Sequence, residues 1–331
     1  MKKYPRIGPH SGSGGGNTWG FVDNILKPYA QRQLPIFIVA ADTASVLYDA
    51  QQLAKTLAPN LWTLCFRSTN FDVPDYNNVP ELEGVKVVQN VYARLPPELD
   101  PKYVSLIVWN EVRTRINNPQ DVPWGGLSMG EWMGRAGLAA IETAISLGVK
   151  IGLFGFASGE PPEEFWRAPS MVQLLRRLGE LKADRQAFLV LHEYSYTELD
   201  IFSKKVGSDF VPVPDLPFPE MYLVGRFRLV YQLCDELGIP RPLIGIGEFG
   251  WTLNAINREK FISQLMKAAA VYLRFEDVLG QALWYSGPGY GGIADAVQPM
   301  WGPFVAHALA NPIEVDIDMP ATPLPTYKRV Y

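Results

Sequence analysis

The sequence contains few residues that could cross-link the chain or bind a metal. It has two cysteines, Cys65 and Cys234, too few for a disulfide framework, and both stand in apolar stretches where a free thiol usually packs inside. It has three histidines, His10, His192 and His307, whose spacing matches no zinc-binding motif. We therefore expect two buried thiols, no metal site and no cofactor.

The sequence also lacks the apolar and basic segments that are typical of membrane or nucleic-acid binding. No uninterrupted apolar run approaches the roughly 20 residues of a membrane span, and the N-terminal Met-Lys-Lys-Tyr-Pro-Arg is not followed by the apolar core of a signal peptide. The formal net charge is −4, and no cluster of Lys and Arg stands out. We expect a cytoplasmic protein, or a secreted one whose signal has been removed, with neither a membrane nor a nucleic acid as partner.

A glycine-rich run at residues 12–16 does not carry a phosphate-binding signature. It lacks the lysine and hydroxyl residue of a P-loop, and its spacing does not fit Gly-x-Gly-x-x-Gly. We interpret this run as a loop that follows the first predicted strand.

Eight short apolar stretches predict buried strands. They are Arg6–His10, Pro35–Asp42, Trp62–Ser68, Val104–Glu111, Lys150–Ala157, Ala187–Tyr194, Pro242–Trp251 and Gln281–Ser286. Apolar residues at three- and four-residue spacing predict helices at 20–32, 44–58, 130–147, 170–182, 222–237, 258–276 and 299–310. Alternation of strands and helices predicts right-handed βαβ units on a parallel sheet. Eight rounds predict an α/β protein with a closed (β/α)8 TIM barrel.

The length and composition suit a single large domain of this kind. The chain has 331 residues, of which 47% are hydrophobic and 19% charged. We expect the barrel to span residues 1–310 and a Pro-rich tail or strap to span 311–331. Segments 70–103, 113–127 and 195–221 are longer than ordinary connections and follow strand ends, so we expect them to wall a cleft on the carboxyl-terminal face.

Two predicted strands end on an acid. The fourth ends in Trp109-Asn110-Glu111, and the seventh ends around Glu248 in Gly-Glu-Phe-Gly-Trp. Because the carboxyl ends of all barrel strands open onto one face, we expect Glu111 and Glu248 to meet there. Glycoside hydrolysis requires two such carboxylic acids beside the scissile bond. The alternative is that each glutamate is merely a solvated strand end.

These motifs resemble those of the retaining glycoside hydrolases of clan A, the 4/7 superfamily. Asn110-Glu111 is similar to the clan's motif at the end of strand four, and Glu248 to its acid at the end of strand seven. The resemblance implies that Glu111 is the acid/base and Glu248 the nucleophile. It also implies that Asn110 binds the 2-hydroxyl of the sugar at the cleavage site.

Two more strand ends fit the resemblance. His192 and Tyr194 end the sixth strand, where the clan often carries a histidine or aromatic residue that contacts the nucleophile or the substrate. A phenol bonded to Glu248 would help to keep that carboxylate ionised. Trp284 on the eighth strand is similar to the clan's tryptophan that stacks on the sugar.

The sequence departs from the clan pattern in two places. Val112 follows the predicted acid/base where many members have proline, and the second strand ends on Asp42 where many have arginine. Arg67, at the end of the third strand, is the expected substitute for that arginine. We add His10 on the first strand as an expected substrate ligand. Trp251, which ends the seventh predicted strand, is another, because aromatic faces suit sugar C–H surfaces.

Further residues have weaker predicted roles. Glu193 should point away from the barrel axis, since it alternates with His192 and Tyr194. Glu160, in Ser-Gly-Glu-Pro-Pro, either contacts substrate or begins a loop. The other candidate sugar platforms are Trp124, Tyr285, Tyr290 and Trp301.

Our leading hypothesis is a retaining glycoside hydrolase that acts on a β-linked oligo- or polysaccharide. It predicts carboxyl groups about 5–5.5 Å apart, a raised pKa for Glu111 and a charged Glu248. The first alternative is a barrel that binds a glycan or a partner without catalysis. The second is a barrel lyase or aldolase, which would need a lysine at a strand's carboxyl end; Lys150 begins its strand instead.

Overall fold

A computed structural model describes residues 1–12, 20–195, 203–206, 209–212, 224–251, 258–286 and 293–317. For Ser195, Trp251 and the residues 203–206 and 209–212 the backbone alone is described. The candidate platform Tyr290 and residues 318–331 of the predicted tail lie outside the described residues.

Eight parallel strands close into a barrel, which confirms the predicted (β/α)8 fold. Following the chain, the strands are β1 (Ile7–Ser11), β2 (Ile36–Ala41), β3 (Trp62–Arg67), β4 (Val104–Val108), β5 (Ile151–Phe156), β6 (Ala187–Ser195), β7 (Ile244–Trp251) and β8 (Val278–Leu283). Each pairs with its neighbours in the sequence, and β8 pairs with β1. All eight predicted strands are therefore present.

Helices lie between the strands of the barrel. Those described are α1 (Lys27–Gln31), α2 (Ser45–Ala54), α3 (Pro80–Tyr92), α4 (Met129–Leu147), α5 (Glu163–Trp166), α6 (Pro169–Glu180), α7 (Phe227–Glu236), α8 (Arg258–Tyr272) and α9 (Ile293–Ala310). A short π-helical stretch, Val22–Leu26, runs into α1. Each of the seven predicted helices corresponds to one of these elements.

The prediction that 70–103 is one long connection is wrong, because it contains α3. Pro80 begins this helix, where a missing N–H costs nothing, and Val87 and Val91 lie on its buried face. The helix packs closely on α4: a Cβ added to Gly84 would lie 2.2 Å from the carbonyl oxygen of Ala136. The valines and Gly84 weaken the helical pattern in the sequence, and helix packing outweighs their low propensity.

The apolar residues form two layers that follow the period of two along each strand. Phe37 and Val39 of β2 belong to a cluster inside the barrel, together with Phe188 and Val190 of β6. The residues between them, such as Ile38, belong to the larger cluster between the barrel and its helices. Both cysteines are buried free thiols, as predicted.

The start of the predicted tail closes against the start of the chain. Ile313–Glu314 pairs antiparallel with Lys2–Lys3, and the amide of Val315 donates to the carbonyl of Met1 at 3.0 Å. The division of the chain at residue 310 stays a prediction. Within the described residues, no helix is both long enough and apolar enough to span a bilayer.

Candidate active site

Four strand ends bring the predicted central residues together. Arg67 ends β3, Glu111 follows β4, His192 lies on β6, and Glu248 lies on β7. One carboxylate oxygen of each glutamate and a ring nitrogen of His192 all lie within 4.8 Å of one another. The Nδ1 atom of His192 lies 3.6 Å from Glu111 Oε1 and 3.4 Å from Glu248 Oε2. The two carboxylates therefore meet beside one imidazole.

The backbone at Glu111 leaves the strand in an unusual conformation. Trp109 and Glu111 have φ values of 62° and 47°, in the left-handed region that non-glycine residues rarely occupy. The amide of Asn110 donates to the carbonyl of Asp72, and that of Glu111 to the carbonyl of Gly155, both at 2.8 Å. These bonds hold the turn, so β4 ends at Val108, three residues before the predicted end.

Glu248 is buried and paired with a cation. Its exposed fraction is 8%, and Nη1 of Arg67 donates to its Oε1 at 3.1 Å. The remaining guanidinium nitrogens donate to Asp72, Nε to Oδ1 at 2.9 Å and Nη2 to Oδ2 at 2.7 Å. Arg67 therefore supplies a positive charge at the site from strand three.

Glu111 is more open to solvent than Glu248. Its side chain is 46% exposed, and the phenol of Tyr194 donates to its Oε1 at 3.0 Å. The expectation that this phenol binds Glu248 is therefore wrong. Tyr194 lies two residues beyond His192 on β6, further toward the mouth of the barrel, at the level of the turn that carries Glu111.

The pKa of Glu111 is lowered, which contradicts the expected rise. The His192 imidazole is the largest cause, burial acts in the opposite direction, and the Tyr194 hydroxyl lowers the pKa further. Mutual repulsion between two close carboxylates would raise the pKa of one of them. Here Arg67 offsets the charge of Glu248 and adds to the lowering. Glu111 is therefore ionised in the site without substrate.

Two buried histidines present polar atoms to the site. Within the described residues, neither ring nitrogen of His10 has a hydrogen-bond partner, and neither does Nδ1 of His192. Burial, followed by the charges of Arg67 and His192, lowers the pKa of His10 well below its usual value, so this imidazole is neutral. Its ring centroid lies 4.6 Å from that of Trp284. A neutral imidazole offers one donor and one acceptor.

Gly155 makes room for two site residues and was missed by the sequence reasoning. A Cβ added there would lie 2.6 Å from Oδ1 of the buried Asn110 and 3.0 Å from Nε2 of His192. Its φ is 59°, and the register of β5 against β6 shifts at this point. A glycine inside a predicted strand is a known signal for such a bulge or close approach.

We expect Gly155→Ala to lower kcat/KM by about 100-fold or more, because the added methyl displaces Asn110 and His192. Gly148→Ala is the matched control: its φ is 68°, but nothing lies within 4 Å of the added Cβ. Both variants carry the backbone strain, and steady-state kinetics with thermal unfolding separate that strain from the clash. Equal losses in both would show that Gly155 has no role in the site.

The secondary candidates have mixed outcomes. Tyr285 and Trp301 are fully buried and cannot serve as sugar platforms, whereas Trp124 is 41% exposed. Glu160 accepts a bond from Thr114 Oγ1 at 2.7 Å and pairs with Arg115 at 3.1 Å, so it joins two loops. The side chain of Trp251 lies outside the described part of the structure.

Glu193 points away from the barrel axis, as predicted from its alternation with the site residues. Its carboxylate is fully buried and accepts bonds from the amide of Gly225 at 2.5 Å, the amide of Phe227 at 2.8 Å and the phenol of Tyr272 at 2.7 Å. Burial raises the pKa of Glu193 to about 7, although these bonds act in the opposite direction.

The raised pKa of Glu193 predicts a pH-dependent stability. The folded state binds this proton more tightly than the unfolded chain, so the contribution is complete below about pH 4.5 and is lost as the pH rises through about 7. The loss is about 3 kcal/mol at most. Urea unfolding of wild type and Glu193→Gln across this range measures it, and we expect a flatter profile for the variant. Parallel profiles would contradict the assignment.

The two glutamates and His192 together offer three ligand atoms that a cation could share. Arg67 already occupies Glu248 Oε1 with its own positive charge, which disfavours a second cation there.

Comparison with known proteins finds similarity among solved structures. The chain is similar to a rutinosidase from Aspergillus niger, with 11% identity, a TM-score of 0.44, and coverage of 93% of this chain and 98% of that one. It is similar to a GH5 family lichenase from Caldicellulosiruptor sp. F32, with 12% identity, a TM-score of 0.45, and coverage of 88% and 86%. A third similar structure is BuGH86wt in complex with neoagarooctaose, with 12% identity, a TM-score of 0.44, and coverage of 89% and 57%. No family model and no curated protein matches the sequence.

Proposed function

We propose that the protein is a retaining glycoside hydrolase that cleaves a β-linked oligo- or polysaccharide by double displacement. The observation that carries this proposal is the distance between the carboxylates. An oxygen of Glu111 and one of Glu248 lie within 4.8 Å. Retaining enzymes hold their carboxyl groups about 5–5.5 Å apart, whereas inverting enzymes need about 6.5–9.5 Å to admit a water.

In the first step Glu248 attacks the anomeric carbon while Glu111 protonates the leaving oxygen. Arg67 holds Oε1 of Glu248, which leaves Oε2 as the attacking atom. A bound sugar covers the half-exposed Glu111, and the loss of water raises its pKa so that it can carry the proton.

In the second step Glu111 removes a proton from the incoming water, which attacks the glycosyl-enzyme. Glu248 is esterified at this stage and carries no charge, so its repulsion of Glu111 has ended. The His192 imidazole and the Tyr194 phenol, which favour the carboxylate form of Glu111, then support its role as a base.

The sugar at the cleavage site would lie against Asn110, His10 and Trp284. Asn110 is buried beside Glu111 and would bind the 2-hydroxyl. The neutral His10 offers its unpartnered nitrogens to other hydroxyls, and buried polar atoms without partners are costly unless a ligand completes them. Trp284 offers an aromatic face to the ring.

A second candidate is a barrel that binds a glycan without cleaving it. The lowered pKa of Glu111 favours this candidate, since a general acid must hold a proton. It predicts that Glu248→Gln retains the glycan affinity of the wild type and that the wild type shows no turnover.

Release of reducing sugar from β-glucans, mannans, xylans, galactans and peptidoglycan tests the two candidates. We expect the wild type to hydrolyse one of these substrates, and NMR of the first product formed should show the β-anomer. The α-anomer as first product would exclude the retaining mechanism. Binding without release of sugar would establish the second candidate.

A further inference from the structure

Asp72 accepts hydrogen bonds from Arg67, which binds Glu248, and from Asn110, which precedes Glu111, although it lies outside every predicted motif. It stands five residues after Arg67, just beyond the short turn Thr69–Phe71 that follows β3. Its two carboxylate oxygens accept from Nε and Nη2 of Arg67 at 2.9 and 2.7 Å. This bidentate pair of hydrogen bonds fixes the plane of the guanidinium and leaves Nη1 directed at Glu248, 3.1 Å away.

The main chain of Asp72 contacts the other half of the site. Its carbonyl oxygen accepts from the amide of Asn110 at 2.8 Å. This bond lies inside the Trp109–Glu111 turn, whose left-handed residues need such support. One residue therefore braces the arginine beside the nucleophile and the turn that carries the acid/base.

The turn that carries Asp72 is itself anchored to the neighbouring strand end. Asp42, which follows β2, accepts from the amide of Thr69 at 2.9 Å and from its hydroxyl at 2.5 Å. The amide of Asp42 donates to the carbonyl of Arg67 at 2.8 Å. The position of Asp72 is thus determined by rigid barrel strands on both sides.

We propose that Asp72 is a positioning residue for the two-carboxylate site, acting on Glu248 through Arg67 and on Asn110 through its carbonyl oxygen, without contact to the substrate. This inference rests on the proposed glycosidase function. It assigns to Asp72 the task of keeping one guanidinium N–H on the nucleophile while the other two nitrogens are occupied.

A matched pair elsewhere in the chain separates positioning from stability. Arg241 donates to Asp235 with the same two-bond geometry, Nε to Oδ1 at 2.9 Å and Nη2 to Oδ2 at 2.5 Å. The side chains are similarly exposed, 14% and 29%, against 9% and 20% for Arg67 and Asp72. This pair precedes β7 and therefore lies at the opposite end of the barrel from the site.

We expect Asp72→Ala to lower kcat by about 10- to 100-fold with a smaller change in KM, since misplacement of a catalytic group affects the chemical step. Asp72→Asn keeps one acceptor for Arg67, so its kcat should fall less than that of Asp72→Ala. Asp235→Ala should keep kcat within about twofold while losing a similar amount of thermal stability. Equal kcat effects of Asp72→Ala and Asp235→Ala would overturn the proposal.

A double-mutant cycle with Arg67→Ala tests whether Asp72 acts through the arginine. If it does, Asp72→Ala should cost no further activity in the Arg67→Ala background. Independent, additive losses would overturn that route.

Exchange of the Arg67 Nε–H with solvent, followed by ¹⁵N NMR, gives a readout that needs no substrate. We expect slow exchange in wild type and Asp235→Ala and fast exchange in Asp72→Ala. If the wild type cleaves no glycoside, the proposed function fails, and this exchange alone decides the role of Asp72. An exchange rate in Asp72→Ala equal to that of the wild type then overturns the proposed role of Asp72. A faster rate upholds Asp72 as the residue that orients Arg67 on Glu248.

Discussion

Glu248→Ala is expected to lower kcat/KM by about 10⁴-fold or more, because the variant has no group to form the glycosyl-enzyme. Azide fits the space left by the carboxylate and can attack the anomeric carbon from the same side, so added azide should restore turnover and yield the α-glycosyl azide. Kinetics on the substrate identified by the panel, with NMR of the azide product, measure both effects.

Glu248→Gln is the control variant that removes the charge of the carboxylate while keeping the shape of the side chain. It preserves volume and should be equally inactive, but azide should not rescue it, because no space is created. Comparable thermal unfolding of both variants would show that the barrel stays intact. Full activity in either variant would exclude Glu248 as the nucleophile.

Glu111→Ala should lower kcat/KM by about 10²- to 10⁴-fold on a natural glycan, because the leaving oxygen of such a substrate must be protonated. The first step should be almost unaffected with an aryl glycoside such as a dinitrophenyl substrate, whose leaving group departs without a proton. Added azide should then attack the glycosyl-enzyme and give the β-glycosyl azide. Pre-steady-state kinetics on both substrate types measure the difference between the two steps.

Glu81→Ala is the control for loss of a half-exposed carboxylate. Glu81 is 44% exposed, against 46% for Glu111, and it pairs with Arg135 on the outer helices. It should leave both steps unchanged. Equal losses of Glu111→Ala on the two substrate types would contradict its role as the acid.

The barrel and its central pair could be predicted because they depend on local patterns. Strands such as Val104–Val108 are short apolar runs; Glu111 stands three residues after this strand, and Glu248 lies on β7 itself. Because all strands of the barrel are parallel, their carboxyl ends open onto one face, and Glu111 and Glu248 are expected to meet there. Arg67 was expected only as a substitute for the arginine of the second strand, and its contact with Glu248 is seen in the structure alone.

The features that the sequence did not predict depend on contacts between segments that are distant in the sequence. Gly84 weakens the helical pattern of α3, and only the approach of α4 explains why a glycine stands there. Tyr194 binds Glu111 rather than Glu248 because a left-handed turn at residues 109–111 moves that acid off its strand, and no local pattern shows such a turn. The lowered pKa of Glu111 likewise follows from His192, 81 positions further along the chain.

The two carboxylates are anchored in different ways, which has an evolutionary consequence. Barrel enzymes diversify mainly by exchanging the loops at their carboxyl-terminal face. Glu248 lies within the ladder of β7 and tolerates such exchange, but the Glu111 turn takes its hydrogen bonds from Asp72 and Gly155, beyond β3 and within β5. New substrate preferences in descendants of this chain should therefore arise outside the segment that carries Asp72 and the end of β5 that carries Gly155. The backbones of these two segments must be inherited together with Glu111.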